Sequence, residues 1–541
     1  MPRSSSISEG FDIIIGNPPY VRQENITDPK ELLTPKEYKD ALLEMVRLDF
    51  PEYFALSQTR PDRFGKGRKP SGRSDLYTYF YIRSLRLLNS GGVHVFICSN
   101  SWLDVGYGSW LQEFFLRRAP LHLVIDNHAR RSFTRADINT IITVAGAPAK
   151  VNENQLTRFV AFKQPFEEAV LSENLLAIEE AGAALRDESF RVLPVTAGEL
   201  LREGSDAGQV SSRLQDPGQY KGDKWGGKYL RAPDIFFTIL EKGKDKLVRL
   251  GEIAEVRFGI KTGANDFFYL EPLGPGSQPG LLRVCNGAGW EGEIEEEFLK
   301  PVIKSPRECR SVVIKQDDFK YRIFMCHKSK KDLKGTKALA YIKWGEKQGY
   351  SKRPTCNSRP RWWSVPNEMG NVFWGKELRE RIAVFTSTKP LLADCRLYAA
   401  TVTQSVQLIL NSVVSILADE IKARQYGGGG GPRSLMVYEV KQQLVLSPNL
   451  AVNWGNQVKD ILLRLKQRPV VSIFTECGID PQSKIPIAEQ EPNPLPDRKA
   501  LDDLVFDALD LTEEERKEVY RAVCQLVWER ISKARSVRRN G

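Results

Sequence analysis

The strongest constraint on the fold lies in the first 150 residues, where short apolar runs alternate with helical patterns. Such runs, each bounded by Gly or polar residues, are typical of β-strands in the core of a sheet. Four segments fit this description: Phe11–Ile15, Val93–Ser99, Leu121–Asp126 and Asn139–Gly146. The first is predicted to be a buried strand. Strands separated by helices indicate an α/β fold with a doubly wound sheet.

The best-defined helix of this region is predicted at Asp75–Leu88, where apolar residues recur at mostly helical spacing. Asp75 is its predicted N-cap, because a short acidic side chain can accept hydrogen bonds from the first turn. Gly91 and Gly92 are predicted to end the helix. Arg60–Arg73 is basic and rich in Gly and Pro, so it is predicted to be a loop.

The remaining sequence suggests three further regions after a first domain at 1–150. Residues 151–224 have a weak mixed pattern and are interpreted as a connector; residues 225–465 contain many short β-like segments and indicate a mixed α+β domain. Residues 466–541 are interpreted as a linker and a C-terminal helical hairpin, with Thr512 and Glu515 spaced as a capping box. Gly427–Gly431 is predicted to be a loop tip.

Composition excludes several classes of protein. The eight cysteines form no C-x-x-C pair and the four histidines are scattered, so no metal site is predicted. The N-terminal residues have no apolar stretch, and the uncharged run Leu397–Ala418 carries amide side chains that lipid would disfavour, so no membrane span is expected. We expect a cytoplasmic protein with reduced cysteines.

The net charge of +11 is concentrated in one region. Between Lys304 and Arg361 there are seventeen Lys or Arg and five Asp or Glu, a local charge of +12 that accounts for the whole excess. A solvated basic face is one interpretation. A polyanion-binding surface is the favoured one, because such a density of positive charge repels itself unless something neutralises it.

The motif that carries chemistry is Asn17-Pro18-Pro19-Tyr20, directly after the first predicted strand. The two prolines stiffen the loop. The Asn17 side-chain oxygen and the Pro18 carbonyl can accept both hydrogens of an adenine N6 amine, while the Tyr20 ring stacks on a base flipped out of DNA. The alternative is a chance turn with Tyr20 as a core aromatic. The position at the carboxyl end of a strand favours a ligand site.

These residues resemble a known family. FDIIIGNPPYVRQE looks like motif IV of the gamma-class adenine-N6 DNA methyltransferases, especially the type IIG restriction–modification enzymes. Asp75–Leu103 resembles the family's next helix and strand, and Ser132–Gly146 resembles the segment lining the far side of the target-base pocket. Phe133 is the only aromatic residue in this stretch and is the candidate for the target-base pocket. Its offset differs from the one the family would imply, so packing is favoured over stacking as the role of its ring. The resemblance implies a partial, Rossmann-like doubly wound methyltransferase sheet, with S-adenosyl-L-methionine as methyl donor and duplex DNA as substrate.

The second domain resembles the TaqI-like target-recognition domain of the same enzymes. The matching pieces include Val256–Leu270 and Ser358–Pro366. Gly259 and Gly263 permit a tight turn, and polar, basic and aromatic side chains near these two pieces suit phosphate or groove contacts. The predicted DNA-binding residues are Lys261, Thr262, Asn265, Arg359, Arg361 and Trp362. Core packing is the alternative for Trp362 and for its neighbour Trp363.

One departure from the family concerns the cofactor. The family's Gly-rich cofactor loop lies before the NPPY motif, and nothing in the sixteen residues before Asn17 resembles it. The cofactor-binding residues are therefore unassigned, and a separate N-terminal methyltransferase or nuclease chain is a possible partner.

The sequence favours a site-specific adenine DNA methyltransferase of a restriction–modification system, present as a partial chain. The alternatives are a non-catalytic sequence-specific DNA-binding subunit or inactive remnant, and an RNA or protein methyltransferase with the same loop.

Overall fold

The computed structural model describes residues 10–54, 70–129, 132–133, 138–205, 220–315, 318–425 and 433–538. The described chain divides into two compact units, one ending at Ala232 and the other beginning at Pro233. The predicted loop tip at Gly427–Gly431 and most of the predicted loop at Arg60–Arg73 lie outside the described residues.

The first unit is an α/β structure. Its strands are β1 (Phe11–Gly16), β2 (Leu88–Ser99), β3 (Leu121–Asn127), β4 (Thr140–Gly146), β5 (Leu156–Phe162), β6 (Leu185–Arg186) and β7 (Phe190–Thr196). Its helices are α1 (Pro35–Asp49), α2 (Pro51–Phe54), α3 (Leu76–Leu85), α4 (Ser101–Asp104), α5 (Ser109–Arg118), α6 (Phe166–Ala169), α7 (Ser172–Glu180) and α8 (Ala197–Gly204).

The seven strands form one mixed sheet in the order β1-β2-β4-β3-β5-β7-β6. The pairs β1–β2 and β3–β5 are parallel, whereas β4 is antiparallel to both of its neighbours. The interpretation of residues 151–224 as a connector is corrected, because β5, β6 and β7 extend the sheet beyond residue 150. The two-residue strand β6 and the short helices α6 and α7 gave this region only a weak mixed pattern in the sequence.

The predicted strand at Phe11–Ile15 exists, but it is not buried. It is the outermost strand of the sheet, and Phe11, Ile13 and Ile15 on one side of it are 61%, 63% and 76% exposed. Val93, which lies opposite Ile13 on β2, is 38% exposed. The first two strands therefore present an apolar face to solvent.

On the same side of the sheet, the strands farther from β1 are covered by helices. The strand registers place Ile125 of β3 and Val160 of β5 on the side of Ile15, and these two residues pack in a core with Ala169 and Ile178 of α6 and α7. The opposite side is covered by the main core of the unit, against which Ile14 packs. The exposed face is therefore confined to the β1 end of one side of the sheet.

The boundary between α3 and β2 differs from the predicted one. The helix ends at Leu85, and the strand begins at Leu88, so Gly91 and Gly92 lie within β2 and do not end the helix. The strand β2 is longer than the predicted run Val93–Ser99 because Leu88 also pairs with Phe11 of β1. The register shifts between this pair and the pair formed by Ile13 and Val93.

The second unit contains fourteen described strands and twelve described helices. The strands are β8 (Leu247–Arg249), β9 (Arg257–Phe258), β10 (Tyr269–Pro275), β11 (Leu281–Asn286), β12 (Glu291–Glu295), β13 (Leu299–Ile303), β14 (Arg322–Phe324), β15 (Gly370–Gly375), β16 (Glu377–Leu378), β17 (Val384–Ala393), β18 (Leu397–Ala400), β19 (Arg424–Gln425), β20 (Arg433–Ser434) and β21 (Leu444–Leu446). The helices are α9 (Asp234–Lys242), α10 (Leu250–Ile253), α11 (Asn265–Phe268), α12 (Lys337–Lys347), α13 (Pro354–Asn357), α14 (Gln404–Asn411), α15 (Val413–Lys422), α16 (Val437–Lys441), α17 (Gly455–Gln467), α18 (Ile473–Cys477), α19 (Pro496–Ala508) and α20 (Glu513–Arg538).

Nine of these strands form a sheet in the order β12-β11-β10-β14-β13-β17-β15-β18-β9. It is antiparallel except for the pair β13–β17. The segment Leu397–Ala418 forms a strand followed by two short helices, and none of the described helices is long and apolar enough to cross a membrane.

The C-terminal hairpin is present as α19 and α20. Its capping box is also present, since Thr512 Oγ1 accepts from the Glu515 amide at 3.4 Å and Glu515 Oε2 accepts from the Thr512 amide at 2.7 Å. Residues 466–541 are not a linker with a separate tail, because α20 packs against α15 and the whole segment belongs to the second unit.

A buried ion network ties this hairpin to the rest of the unit. Arg498 is 1% exposed and donates to Glu476 at 3.1 Å, while Arg468 pairs with the same carboxylate. Asp502 is fully buried, lies 3.7 Å from Arg498 and accepts from the Val413 amide. Burial raises the pKa of Asp502 to about 7. The network compensates charges that would be costly to bury alone.

Candidate active site and nucleic-acid interface

The NPPY loop begins where β1 ends. Gly16 lies opposite Phe96 of the parallel strand β2, and a Cβ at Gly16 would lie 2.7 Å from the Phe96 ring, so the two strands approach closely here. Because parallel strands end at the same edge of a sheet, the residues after β1 and after β2 lie together. This edge is where open α/β sheets bind ligands.

Within the loop, the side chains of Asn17 and Tyr20 contact each other. The Tyr20 hydroxyl donates to Asn17 Oδ1 at 2.5 Å and lies 3.2 Å from the Ile97 carbonyl oxygen of β2. Asn17 is exposed, Pro18 is buried and Tyr20 is half-buried. Burial, with a smaller contribution from Cys98, raises the pKa of Tyr20 to about 12, so its phenol stays neutral near pH 7.

Phe133 lies beside this loop. Its ring centroid is 6.4 Å from that of Tyr20, with the two planes tilted by 58°. The backbone bond from Asn100 to Asn139, 3.0 Å long, brings the segment before β4 to the same edge of the sheet. The rings of Phe133 and Tyr20 thus lie near each other beside the loop.

A second contact holds the chain immediately after Tyr20. The Val21 carbonyl accepts from the Leu76 amide at 3.0 Å, and Asp75 Oδ1 accepts from the Gln23 amide at 3.0 Å. Asp75 occupies the N-cap position of α3, as predicted, but its side chain makes no capping hydrogen bond. Its other oxygen accepts from the Tyr107 hydroxyl at 2.6 Å. The carboxylate therefore joins the NPPY loop to the turn after β2.

This arrangement can hold a planar base with an exocyclic amine. Asn17 Oδ1 is an exposed acceptor, and the Tyr20 ring lies near the Phe133 ring with the two planes tilted by 58°. The described residues do not form a closed site for a nucleoside cofactor next to it, because β1 is the outermost strand and one of its faces is exposed. Within the described chain, no group of three or more His, Cys, Asp or Glu side chains could hold a metal ion.

The predicted DNA-binding turn lies in the second unit at residues 261–265. Gly263 has φ +75°, a conformation that favours glycine, and a Cβ there would lie 2.5 Å from Thr355. Lys261 and Asn265 are exposed. Thr262 is only 1% exposed, and its hydroxyl donates to Asn265 Oδ1 at 2.5 Å. Thr262 therefore shapes the turn from inside, which differs from the direct DNA contact predicted for it.

Arg359 and Trp362 also hold this region from inside. The Arg359 guanidinium donates to the carbonyls of Lys261 and Thr262 at 2.6 and 2.8 Å. Trp362 is 7% exposed, and its indole donates to Glu346 at 3.0 Å. The predicted stacking of Trp362 on a base is corrected to core packing, because Phe267 and its aromatic neighbours enclose the ring.

The basic window, Lys304–Arg361, contains cations that form ion pairs and cations that do not. Lys320, Lys328 and Lys330 form ion pairs, with Glu271, Glu297 and Glu346 respectively. Arg361 is exposed and donates to the His327 carbonyl at 2.8 Å. Lys343 and Lys347, one turn apart on α12, are exposed and form no ion pair with any described residue. These two lysines are candidates for contact with phosphate, as are Lys331 and Lys334, which are also exposed and form no ion pair with any described residue.

Two features of the structure were not predicted from the sequence. The tether between Asp75 and Gln23 spans 52 positions, and no local pattern distinguishes it from a helix cap. The basic pair on α12 does have a local signal, namely the four-residue spacing of Lys343 and Lys347 within a helical pattern.

Two family models match the chain. Residues 3–133 match the Eco57I restriction-modification methylase model, and residues 291–468 match the C-terminal domain of the Type II methyltransferase M.Eco57I. The first match contains the NPPY loop, and the second contains the basic window and α12.

Curated relatives agree with these matches. The Type II methyltransferase M.AccI of Acinetobacter calcoaceticus is 21% identical over 379 residues, which are 67% of this chain and 60% of the relative. The Type II methyltransferase M.PaeR7I of Pseudomonas aeruginosa is 34% identical over 116 residues, 21% of this chain and 15% of the relative. The matched regions thus span less than two thirds of the length of these relatives.

Among solved structures, the chain is similar to the type IIG restriction endonuclease BpuSI and to the Type IIL restriction-modification enzyme MmeI in complex with DNA. For BpuSI the TM-score is 0.39 at 12% identity, covering 97% of this chain and 54% of that one. For MmeI it is 0.47 at 12% identity, covering 95% and 57%. The family models and curated relatives together support a relationship of this chain to the methyltransferases of type II restriction–modification systems.

Proposed function

We propose that this chain carries the target-base loop and the DNA-recognition domain of a site-specific adenine-N6 DNA methyltransferase of a restriction–modification system. The observation that carries the proposal is the geometry of the NPPY loop. An exposed Asn17 side-chain oxygen lies next to a half-buried Tyr20 ring at the edge of the sheet, with Phe133 beside it.

In this proposal, the loop receives an adenine flipped out of duplex DNA. Asn17 Oδ1 and the Pro18 carbonyl accept the two N6 hydrogens, and the rings of Tyr20 and Phe133 hold the base plane. Before a base arrives, Asn17 Oδ1 accepts from the Tyr20 hydroxyl, and its second lone pair is open to the amine; the hydroxyl can also turn to another acceptor. The Ile97 carbonyl oxygen, 3.2 Å from that hydroxyl, can take its place. Pro19 stiffens the loop.

The methyl donor is proposed to be S-adenosyl-L-methionine, held mostly by polypeptide other than the described residues. The apolar face formed by Phe11, Ile13, Ile15 and Val93 supports this part of the proposal. Exposed apolar residues in a row on an outermost strand are typical of a surface that another segment covers. A separate chain carrying the cofactor-binding half would fit there.

The second unit is proposed to bind duplex DNA. Lys261 and Asn265 on the glycine turn, Arg361, and the lysines of α12 supply exposed donors for phosphate or groove contacts. Arg359 supports the turn through its backbone carbonyls. The second candidate function, a non-catalytic DNA-binding subunit or inactive remnant, is favoured by one observation: the described residues beside the loop leave the cofactor side open.

Expression of the genomic locus, including its flanking DNA, in a host that lacks adenine methylation distinguishes the two candidates. The proposal expects N6-methyladenine at one fixed sequence motif, detected by single-molecule sequencing. The DNA-binding subunit would instead protect a fixed sequence from nuclease digestion while leaving the host DNA unmethylated. Unmethylated DNA from the intact locus would therefore contradict the enzymatic proposal.

A further inference from the structure

The carboxylate of Asp75 is used in an unusual way for its position. An Asp at an N-cap ordinarily accepts hydrogen bonds from the first turn of its own helix. Asp75 makes none of these; both oxygens serve distant segments, with Oδ1 accepting from the Gln23 amide at 3.0 Å and Oδ2 from the Tyr107 hydroxyl at 2.6 Å. The helix thus forgoes a stabilising cap in favour of two tertiary contacts.

The contact at Gln23 fixes one end of the NPPY loop. The other end is fixed by β1, whose last residue pairs with β2. Gln23 lies three residues after Tyr20, and the neighbouring bond between Leu76 and the Val21 carbonyl runs in the opposite direction. The chain between Gly16 and Gln23 is therefore held at both ends. Backbone pairing holds Gly16, whereas the far end is held by the backbone bond at Val21 and by the Asp75 carboxylate at Gln23.

The position of Asp75 is itself held by a tyrosine pair. Tyr107 lies in the turn after β2, and its hydroxyl is 2.8 Å from that of Tyr77 on α3. Tyr107 and Asp75 thereby connect the segments that follow the two adjacent parallel strands. A shift of the carboxylate would move the NPPY loop relative to the end of β2, where Tyr20 makes its contact with Ile97.

We propose that Asp75 is a positioning residue that sets the orientation of the loop Asn17–Tyr20 by holding Gln23. The proposal rests on the function proposed above for that loop. Asp75 is too engaged with Gln23 and Tyr107 to touch the base, so it acts through the backbone. Misplacement of a reacting group by about 1 Å costs on the order of 100-fold in rate, so loss of one attachment should reduce turnover more than DNA binding.

Hydrogen–deuterium exchange of the full chain tests the tether directly. In Asp75→Ala, exchange of peptides covering Arg22–Glu24 should accelerate about tenfold or more, because the bond lost is one to a charged group. The amides of α3 after its first turn should be unchanged. Asp75→Asn should restore most of the protection, since an amide oxygen can still accept from Gln23. Asp28→Ala is the matched control, because Asp28 caps only the local segment Lys30–Leu33.

The enzymatic arm uses the complete locus. Asp75→Ala should lower kcat about 10- to 100-fold with the KM for DNA within about twofold, and Asp75→Asn should recover most of the rate. Unchanged exchange at Arg22–Glu24, equal loosening of α3, or a wild-type kcat in Asp75→Ala would each overturn the proposal. If the wild-type locus methylates no DNA, the function proposed for the loop fails, while the exchange result still decides whether Asp75 holds it.

Discussion

Lysines 343 and 347 of α12 should contact DNA phosphates, so replacing both by Ala should weaken duplex binding in a salt-dependent way. Both are exposed and unpaired among the described residues, whereas Lys328 and Lys330 are held by Glu297 and Glu346. Each phosphate contact contributes about 0.9 to the slope of log affinity against log salt concentration. Loss of two contacts should therefore reduce the slope by about 1.8.

The expected change in affinity can be measured with any labelled duplex, because binding to phosphates does not depend on the DNA sequence. Between 50 and 200 mM salt, a slope difference of about 1.8 changes the ratio of wild-type to variant affinity about 12-fold. Fluorescence anisotropy of the full chain over that range gives both slopes. Lys328→Ala with Lys330→Ala removes the same net charge and is the matched control.

The result that refutes this reasoning is equal loss in the two double variants. Equal slopes would mean that only the overall charge of the unit matters and that α12 does not lie on the DNA. A slope that is unchanged in Lys343→Ala with Lys347→Ala would place the phosphate contacts elsewhere in the basic window.

Three further outcomes follow from the described contacts. Tyr20→Ala should weaken capture of a flipped base by about 1–3 kcal/mol, while Tyr20→Phe should retain most of the affinity because the ring remains, as binding to duplexes with a mismatched target adenine would report. Arg498→Met should lower the free energy of urea unfolding by about 3 kcal/mol or more, since Glu476 and Asp502 stay buried; an unchanged value would show that the network is dispensable. Burial lowers the pKa of His94 to about 4. Because the unfolded imidazole takes up a proton more readily, the free energy of unfolding of the first unit should be highest above pH 6.5 and fall by about 3 kcal/mol as the pH drops to 4. Thermal unfolding of His94→Gln should lack this fall.

The strands of the first unit could be predicted because their apolar runs are short and well bounded. The exposure of β1 could not be predicted. An outermost strand whose free face is meant to be covered by another segment has the same run of apolar residues as a central strand. Phe11, Ile13 and Ile15 satisfy the sequence pattern of a buried strand. Their exposure depends on which strands lie beside them, and that is a property of the whole sheet.

The candidate site could be predicted where its geometry depends on residues that are neighbours in the sequence. Asn17 to Tyr20 form a loop at the edge of the sheet because two prolines and a preceding strand determine its course. The interface was less predictable: Trp362 and Thr262 are polar or aromatic residues that suit DNA, yet tertiary packing buries both. Sequence patterns give the residue types near a surface, and only the fold determines which of them face solvent.

The same limit applies to Asp75. Its local sequence predicts a helix cap, and the backbone does place it at that position. Its hydrogen bonds depend on the Gln23 amide, 52 positions away, which takes one carboxylate oxygen in place of the first turn. A hydrogen bond to a backbone amide far away in the sequence leaves no periodic pattern from which it could be predicted.

The central claim is that Asn17 orients an adenine amine for methyl transfer. The most direct test is mass spectrometry of nucleosides from DNA of a host expressing the complete locus, with wild-type Asn17 or with Asn17→Ala. We expect N6-methyldeoxyadenosine with the wild type and a fall of about 100-fold or more with Asn17→Ala, while the DNA affinity of the purified variant stays within about twofold. Undiminished N6-methyldeoxyadenosine in Asn17→Ala, or a methylated cytosine in place of adenine, would contradict the account.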